Sequence, residues 1–171
     1  MSGSRPIIRE AEPGDAGGMA RVQVASWQAA YPGLIDQGFL DSLDVEGRTQ
    51  SWARILHQPR GRVLLAESGG VVIGFCAVGP ALDEDWGEVF ALYLDPTRWG
   101  KGVGRDMLAA GERGLAGAGY RQALLWVLEG NTRARAFYAR QGWGLGKPIR
   151  IEAIGGVDVT EVRYEKVLAA D

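Results

Sequence analysis

Apolar and polar residues alternate along the chain in a pattern that predicts strands and helices in turn. Residues 7–8 are an apolar pair and predict a first strand. Apolar residues at loosely helical spacing follow as far as Tyr31, and Asp15 stands where an N-cap is expected. A second helix is predicted over residues 37–57, because its apolar residues fall on one face and Pro59 closes it.

The middle of the chain predicts three strands. Residues 63–67 and 71–78 should form a hairpin, because a Ser-Gly-Gly turn separates two apolar runs. The third strand covers residues 88–94, and its side chains should alternate between the two faces of a sheet. We expect one face to hold Glu88, Phe90, Leu92 and Leu94, and the other to hold Val89, Ala91 and Tyr93.

The last part of the chain predicts two helices and three strands. A glycine-rich turn opens the first helix, and residues 123–128 have the composition of a buried strand. Asn131 caps a second helix that ends at Gly142, and two strands follow near 149–154 and 159–167. This order of elements predicts a mixed α/β domain with one central sheet.

Composition narrows the class of protein. The chain has 171 residues, 46% of them hydrophobic, and a formal net charge of −2, so we expect one globular domain and no nucleic acid as partner. Cys76 is the only cysteine and there is one histidine, which leaves no disulfide framework and no metal site to expect. The polar stretch 1–12 lacks the features of a secretory signal, and no segment is long and apolar enough to enter a membrane. A cytoplasmic location is therefore expected.

The segment 93–105 is the most informative part of the sequence. A strand, a turn with Gly100, Gly102 and Gly104, and a helix N-terminus follow one another there. Such a turn presents unpaired backbone N–H groups at the positive end of a helix dipole, which favours binding of a pyrophosphate. Basic side chains that can add charge are Arg98, Lys101 and Arg105.

Two common phosphate-binding motifs do not match this turn. A P-loop needs Ser or Thr after Gly-Lys, whereas Gly102 follows Lys101. A dinucleotide fingerprint needs a small third residue and an acidic residue about 20 positions further on, where Met107 and Gln122 stand. A structural glycine-rich connection without any ligand remains an alternative.

The turn resembles the pyrophosphate loop of the GCN5-related N-acetyltransferase (GNAT) superfamily. The segment 99–104, Trp-Gly-Lys-Gly-Val-Gly, fills the family pattern, although Trp99 replaces the usual Gln or Arg. The segment 131–143, with its Phe-Tyr pair, and the segment 26–31 also resemble family regions, and the similarity extends over about 5–168. The resemblance implies one N-acetyltransferase domain with the GNAT-like acyl-CoA N-acyltransferase fold, in which the mixed central sheet is largely antiparallel and flanked by helices.

The resemblance also implies a donor and the residues that bind it. Acetyl-CoA would be the co-substrate, with no metal, and its pantetheine arm would pair with the backbone of Leu92, Tyr93 and Leu94. The residues expected to contact its phosphates are Trp99, Gly100, Lys101, Gly102, Val103, Gly104 and Arg105. Asn131 could bind the pantetheine arm or only cap its helix.

The same resemblance assigns catalytic roles and an acceptor. Tyr138 would protonate the coenzyme A sulfur, unless it is only a packing residue, and Glu88 would act as general base, unless it is only a solvated charge. Trp27 and Tyr31, one helical turn apart, could line an acceptor pocket or simply pack together. Glu84 and Asp85, in the loop before that strand, could attract a cationic acceptor.

These observations predict an enzyme that moves an acetyl group from acetyl-CoA to a primary amine of a small molecule, a protein or a peptide. Transfer would be direct, in a ternary complex, because Cys76 lies in a predicted strand and offers no accessible nucleophile. The alternative is a catalytically inactive acyl-CoA-binding sensor of the same fold. A homodimer is compatible with the resemblance, since similar proteins often form one.

Overall fold

The computed structural model describes residues 5–170, so the first four residues of the polar stretch 1–12 lie outside the described residues. Residues 5–170 form seven strands and five α-helices. The strands are β1 (Ile7–Glu10), β2 (Arg62–Ser68), β3 (Val71–Pro80), β4 (Gly87–Leu94), β5 (Gln122–Leu128), β6 (Gly144–Ile154) and β7 (Val157–Val167). The helices are α1 (Ala16–Ala30), α2 (Gln37–Asp41), α3 (Val45–His57), α4 (Val103–Gly117) and α5 (Thr132–Arg140).

The seven strands form one sheet in the order β1-β2-β3-β4-β5-β7-β6. All neighbours are antiparallel except β4 and β5, which are parallel. A parallel pair needs a crossover connection, and α4 provides it. The predicted mixed, largely antiparallel sheet flanked by helices is therefore confirmed.

Helices cover both faces of the sheet. On one face, α1 and α3 bury Met19 and Trp52 against Phe75 of β3. On the other face, α4 buries Met107 and Leu115 in a second cluster, to which α5 contributes Tyr138. Burying a large apolar side chain stabilises a fold by about 1.5–3 kcal/mol, so these two layers hold the sheet in place.

The helix predicted over 37–57 is wrong, because the structure has two helices there. The chain leaves the first after Asp41, and α3 begins at a new N-cap, Asp44. The Asp44 carboxylate accepts hydrogen bonds from the N–H groups of Glu46 and Gly47, at 3.1 and 2.9 Å. A cap of this kind is typically worth about 1 kcal/mol and is enough to restart a helix.

Asp15 precedes α1 as expected, but its side chain does not cap that helix. The carboxylate accepts from the Glu12 N–H at 2.8 Å and pairs with the Arg9 guanidinium at 2.8 Å. Hydrogen bonding from Arg9, opposed by partial burial, lowers the pKa of Asp15 below its usual value. Asp15 therefore ties β1 to the turn before α1.

The predicted alternation along β4 is wrong at its first half. The register with β3 shifts so that Val78 pairs with Val89 and Ala77 with Ala91, which leaves Phe90 as an extra, bulged residue. Val89 consequently packs in the α4-side core together with Leu92 and Leu94. Glu88 lies on the opposite face, with Ala91 and Tyr93, because Gly87 and Val89 on either side of it face α4.

The strand predicted near 149–154 is longer than expected. It begins at Gly144, and its pairing with β7 is interrupted between Leu145 and Ile149. Gly146 and Pro148 lie in this irregular part, and their presence conceals the strand from a pattern-based prediction.

Candidate active site

Strands β4 and β5 separate shortly after they meet. They pair at only two positions, Gly87 with Ala123 and Glu88 with Leu124. Further along, β4 continues to pair with β3 as far as Leu94 but no longer with β5. A cleft of about 740 Å³ opens between the two strands, and the backbone edge of β4 faces it. Unpaired N–H and C=O groups on such an edge can bind an extended, amide-containing ligand as an added strand would.

The glycine turn closes one end of this cleft. Gly100 and Gly102 have φ angles of +74° and +85°, which other residues rarely adopt, and Gly102 is the N-cap of α4. A side chain at Gly100 would meet no atom within 4 Å, so the turn is open to a ligand. The first turn of α4 adds free N–H groups at the positive end of its dipole. The turn thus has the backbone conformation and the free N–H groups that an anion site needs.

Trp99 replaces the usual Gln or Arg of the family pattern, and the structure supplies a positive charge beside it. The Arg133 guanidinium of α5 lies 4.0 Å from the centre of the Trp99 ring, while the indole N–H donates to the Leu94 carbonyl at 2.9 Å. Arg140 lies two turns further along α5, on the same face, and both arginines line the cleft. The sequence-based prediction does not include these two arginines, although a spacing of seven residues on a predicted helix places them on one face.

Not every residue predicted in the turn lines the cleft. Gly100, Gly102, Gly104 and Arg105 do. Lys101 instead turns back, and its ammonium group donates to the Thr97 carbonyl at 2.9 Å. The side chain of Val103 is 9% exposed and packs in the α4-side core. These two positions can therefore contribute through backbone groups, while Arg105 is the basic side chain of the turn that faces the ligand side.

Tyr138 and Asn131 lie along the same cleft. The Tyr138 ring packs edge-on against Phe137 and Trp143, with centroids 5.3 and 6.3 Å apart. Burial is the main cause of a raised pKa at Tyr138, so its hydroxyl remains protonated at neutral pH. The Asn131 side chain accepts from the Ala134 N–H at 3.2 Å as an N-cap. Both residues thus have a structural role and also face the cleft.

Glu88 lines the other part of the cleft and is half-buried. Burial raises the pKa of its carboxyl group above the ordinary value, and the nearby Arg150 and Arg60 offset part of that rise. Arg150 lies with its guanidinium carbon 4.6 Å from the centre of the Trp126 ring and donates to Glu161 at 2.5 Å. The sequence-based prediction does not include Trp126, Arg150 and Glu161 in the site, because β5, β6 and β7 bring these three residues together only in the folded chain.

Trp27 and Tyr31 also line the cleft and form an edge-to-face pair with centroids 5.2 Å apart. Trp27 lies 6.2 Å from the ring of Tyr93 on β4, so α1 packs aromatic residues directly beside the donor-side strand. By contrast, Glu84 and Asp85 are exposed and do not line the cleft. The carboxylates that line the cleft beside β4 belong to strands of the sheet and not to the loop before β4.

Cys76 is fully buried, and burial raises the pKa of its thiol to about 12. It therefore remains a protonated core residue. Within residues 5–170 there is no cluster of three or more His, Cys, Asp or Glu side chains arranged to hold a metal ion. None of the helices in that range is long and apolar enough to cross a membrane.

Comparison with known proteins places the chain in a family. Residues 24–143 match the model of the acetyltransferase (GNAT) family, so the chain belongs to it. It is 34% identical over 128 residues to the uncharacterized N-acetyltransferase YuaI of Bacillus subtilis, with 72% of each chain covered. It is 37% identical over 124 residues to a mycothiol acetyltransferase of Streptomyces bingchenggensis, covering 70% of this chain and only 39% of that protein.

The fold has close counterparts among solved structures. The PaiA N-acetyltransferase of Thermoplasma acidophilum, solved in complex with coenzyme A, superposes with a TM-score of 0.72 at 22% identity. The match covers 95% of this chain and 99% of that one. The open edge of β4 can pair with an amide-containing ligand, and the glycine turn and the arginines of α5 can bind phosphates. The predictions of a GNAT fold and of an acetyl-CoA-dependent N-acetyltransferase are confirmed, and nothing favours the inactive sensor.

Proposed function

We propose that the chain transfers the acetyl group of acetyl-CoA directly to a primary amine, with Glu88 as general base and Tyr138 as general acid. The observation that supports this assignment is that both side chains line one cleft, which also includes the open edge of β4 and the glycine turn. The donor contacts would come from the β4 backbone of Leu92, Tyr93 and Leu94, and from the N-terminus of α4.

The acceptor amine must lose a proton before its nitrogen can attack. An alkylammonium with a pKa near 10.4 is neutral in only about 1 molecule in 2,500 at pH 7. A general base typically accelerates such a step by about 10²–10⁴. Glu88 suits this role, because burial brings the pKa of its carboxyl group closer to the working pH, where a base is more effective.

The departing thiolate must gain a proton. As the amine nitrogen forms its bond to the thioester carbonyl carbon, the carbon–sulfur bond breaks and the electron pair goes to sulfur. Before attack, Glu88 takes one proton from the ammonium group and releases it to solvent. After attack, the second nitrogen proton passes to Glu88, directly or through water, while Tyr138 donates its phenolic proton to the sulfur. Because the pKa of Tyr138 is raised, its hydroxyl is protonated and available as a donor throughout the neutral range. The proton on Glu88 restores the tyrosine through solvent.

No covalent acetyl-enzyme is needed. Cys76 is buried and protonated, which supports direct attack within a complex of enzyme, donor and acceptor. Trp27 and Tyr31 would form a wall of the acceptor side. A homodimer and the absence of nucleic-acid partners stay predictions that the fold does not test.

The proposal is tested by measuring free-thiol release and acetylated product together, at varied acetyl-CoA and amine concentrations. Intersecting initial-rate lines and equal amounts of the two products are expected. Glu88→Gln should lower kcat at least 100-fold, whereas Glu46→Gln, an exposed carboxylate of α3, should not. Parallel lines, or thiol release without acetylated amine, would overturn the proposal.

A further inference from the structure

The charged side chains that line the cleft are divided between its two ends. Around the glycine turn and α5 they are all guanidinium groups, those of Arg105, Arg133 and Arg140. At the end formed by β4, β6 and β7 they are three carboxylates and one guanidinium, those of Glu88, Glu152, Glu161 and Arg150. The first end matches the phosphates of the donor, so the second end faces the acceptor and has a surplus of negative charge.

The positive charge of Arg150 is already compensated at the acceptor end. Its guanidinium donates to Glu161 at 2.5 Å, and Glu152 lies 3.5 Å from the same nitrogen. The Glu161 carboxylate is only 13% exposed, so little water screens it. An anionic group on the acceptor would meet two carboxylates beside this one arginine and would be repelled.

The surroundings of Arg150 show how this end of the cleft binds a cation. The Arg150 guanidinium lies on the face of Trp126, between two carboxylates, which is an arrangement that stabilises cations in general. The indole face and the surplus carboxylate form a subsite that can accept a second positive group if Arg150 shifts or shares its partners. This subsite belongs to the active-site cleft and extends it beyond Glu88.

The strand register gives the spacing between the two cation positions. Leu124 pairs with Glu88, and Trp126 lies two residues further along β5, or about 7 Å. Glu161 pairs with Leu128, four residues beyond Leu124, or about 13 Å along the strand. The two positions are therefore separated by the length of an aliphatic chain of roughly four to eight carbons.

We propose that the acceptor has two cationic groups: the amine that is acetylated at Glu88, and a second positive group bound by Trp126, Glu152 and Glu161. Aliphatic diamines and polyamines have this chemistry, as does a short peptide with a lysine near the reacting amine. This inference rests on the proposed function, since it specifies the substrate class of the same cleft.

The test is the ratio of kcat/KM for 1,4-diaminobutane to that for n-butylamine, which is matched in length but has one amine. We expect a ratio of roughly ten or more, because a charge-assisted hydrogen bond is lost with the monoamine. Diamines of four to eight carbons should be favoured over 1,2-diaminoethane. A lysine-containing peptide, compared with its norleucine analogue, distinguishes a peptide from a small-molecule source.

Variants of the subsite should change this ratio in opposite directions. Glu161→Gln and Glu152→Gln should lower it several-fold, whereas Arg150→Gln should raise it, because the competing internal cation is removed. Asp158→Asn is the matched control, since it removes one carboxylate from the same β6–β7 hairpin at an exposed position outside the cleft. Because both substrates are measured on the same preparation of a variant, a general loss of activity or folding cancels in the ratio of the two kcat/KM values.

Each outcome has a distinct meaning. If 1,4-diaminobutane is preferred over n-butylamine, and Glu161→Gln abolishes this preference, the inference is supported for a small-molecule acceptor. The same result with the lysine peptide and its norleucine analogue supports it for a peptide acceptor. Equal acetylation of diamine and monoamine, or a ratio that Glu161→Gln and Glu152→Gln leave unchanged, overturns it while the proposed function stands. If acetyl-CoA binds but no amine is acetylated, the proposed function fails and the inference fails with it.

Discussion

Replacement of Tyr138 by phenylalanine removes one hydroxyl group and leaves the ring. The ring makes the packing contacts, edge-on with Phe137 at 5.3 Å and Trp143 at 6.3 Å, and it packs against Tyr164 at 6.3 Å. All three contacts remain in Tyr138→Phe, so we expect the midpoint of thermal unfolding to change little. Truncation to alanine would instead leave a cavity and cost about 3–5 kcal/mol, which makes it a poor test of catalysis.

The expected loss of rate follows from the role of the hydroxyl. The raised pKa of Tyr138 keeps the proton on the oxygen, so in the wild-type enzyme the donor is fully populated near pH 7. Loss of a general acid reduces the rate by about 10²–10⁴, which corresponds to about 2.7–5.4 kcal/mol in the activation free energy. The acetyl-CoA dissociation constant should change by less than about threefold, because the phosphates and pantetheine bind elsewhere in the cleft.

The assay measures kcat by thiol release and the dissociation constant of acetyl-CoA by calorimetry on the same preparations. We expect a large fall in kcat with acetyl-CoA binding preserved. If Tyr138→Phe retains kcat within threefold of the wild type, Tyr138 is a packing residue and the proton must come from another donor. If binding is lost in proportion to kcat, the residue acts on the donor complex and not on the leaving group.

Three other substitutions test separate parts of the site. The raised pKa of Glu88 means that folding disfavours its ionised carboxylate. Glu88→Gln should therefore raise the unfolding midpoint at neutral pH, but not below about pH 4, where the carboxyl group is protonated in both states. Thermal melts at a series of pH values check this. Arg133→Ala should weaken acetyl-CoA binding about tenfold in calorimetry, while Arg113→Ala on the exposed part of α4 should not, and equal effects would exclude a specific role. Gly102→Val should lower stability by about 1–2 kcal/mol in chemical denaturation and reduce donor binding, since its φ is +85°; unchanged binding would count against the glycine turn as the phosphate site.

Local features of the site could be predicted from the sequence. The glycine turn is a continuous segment, and the φ angles it needs are set by Gly100 and Gly102 themselves. The N-cap role of Asn131 and the position of α4 between β4 and β5 likewise depend on residues close in sequence. The Asp44 cap is also a local signal, and the prediction of one helix over residues 37–57 missed it because it relied on the apolar face of residues 45–56.

Features that depend on a partner strand could not be predicted in this way. The bulge at Phe90 arises from its register with β3, and it moves Glu88 to the other face of β4 without any mark in its own alternation. Glu161 and Arg150 come together across the β6–β7 hairpin, and Trp126 joins them from β5. The acceptor end of the cleft is thus a product of tertiary structure, while the donor end is mostly a product of local sequence.

Binding of acetyl-CoA in the cleft between β4 and β5 is tested by thermal unfolding with acetyl-CoA, coenzyme A, NADH and ATP in parallel. At a concentration 100 times the dissociation constant, a bound ligand stabilises the fold by about 2.7 kcal/mol, which should raise the midpoint by roughly 5–10 °C for a chain of this size. We expect this shift with acetyl-CoA and coenzyme A, and a smaller shift in Arg133→Ala. No shift with acetyl-CoA, or a larger one with NADH or ATP, would mean that the cleft is not an acetyl-CoA site.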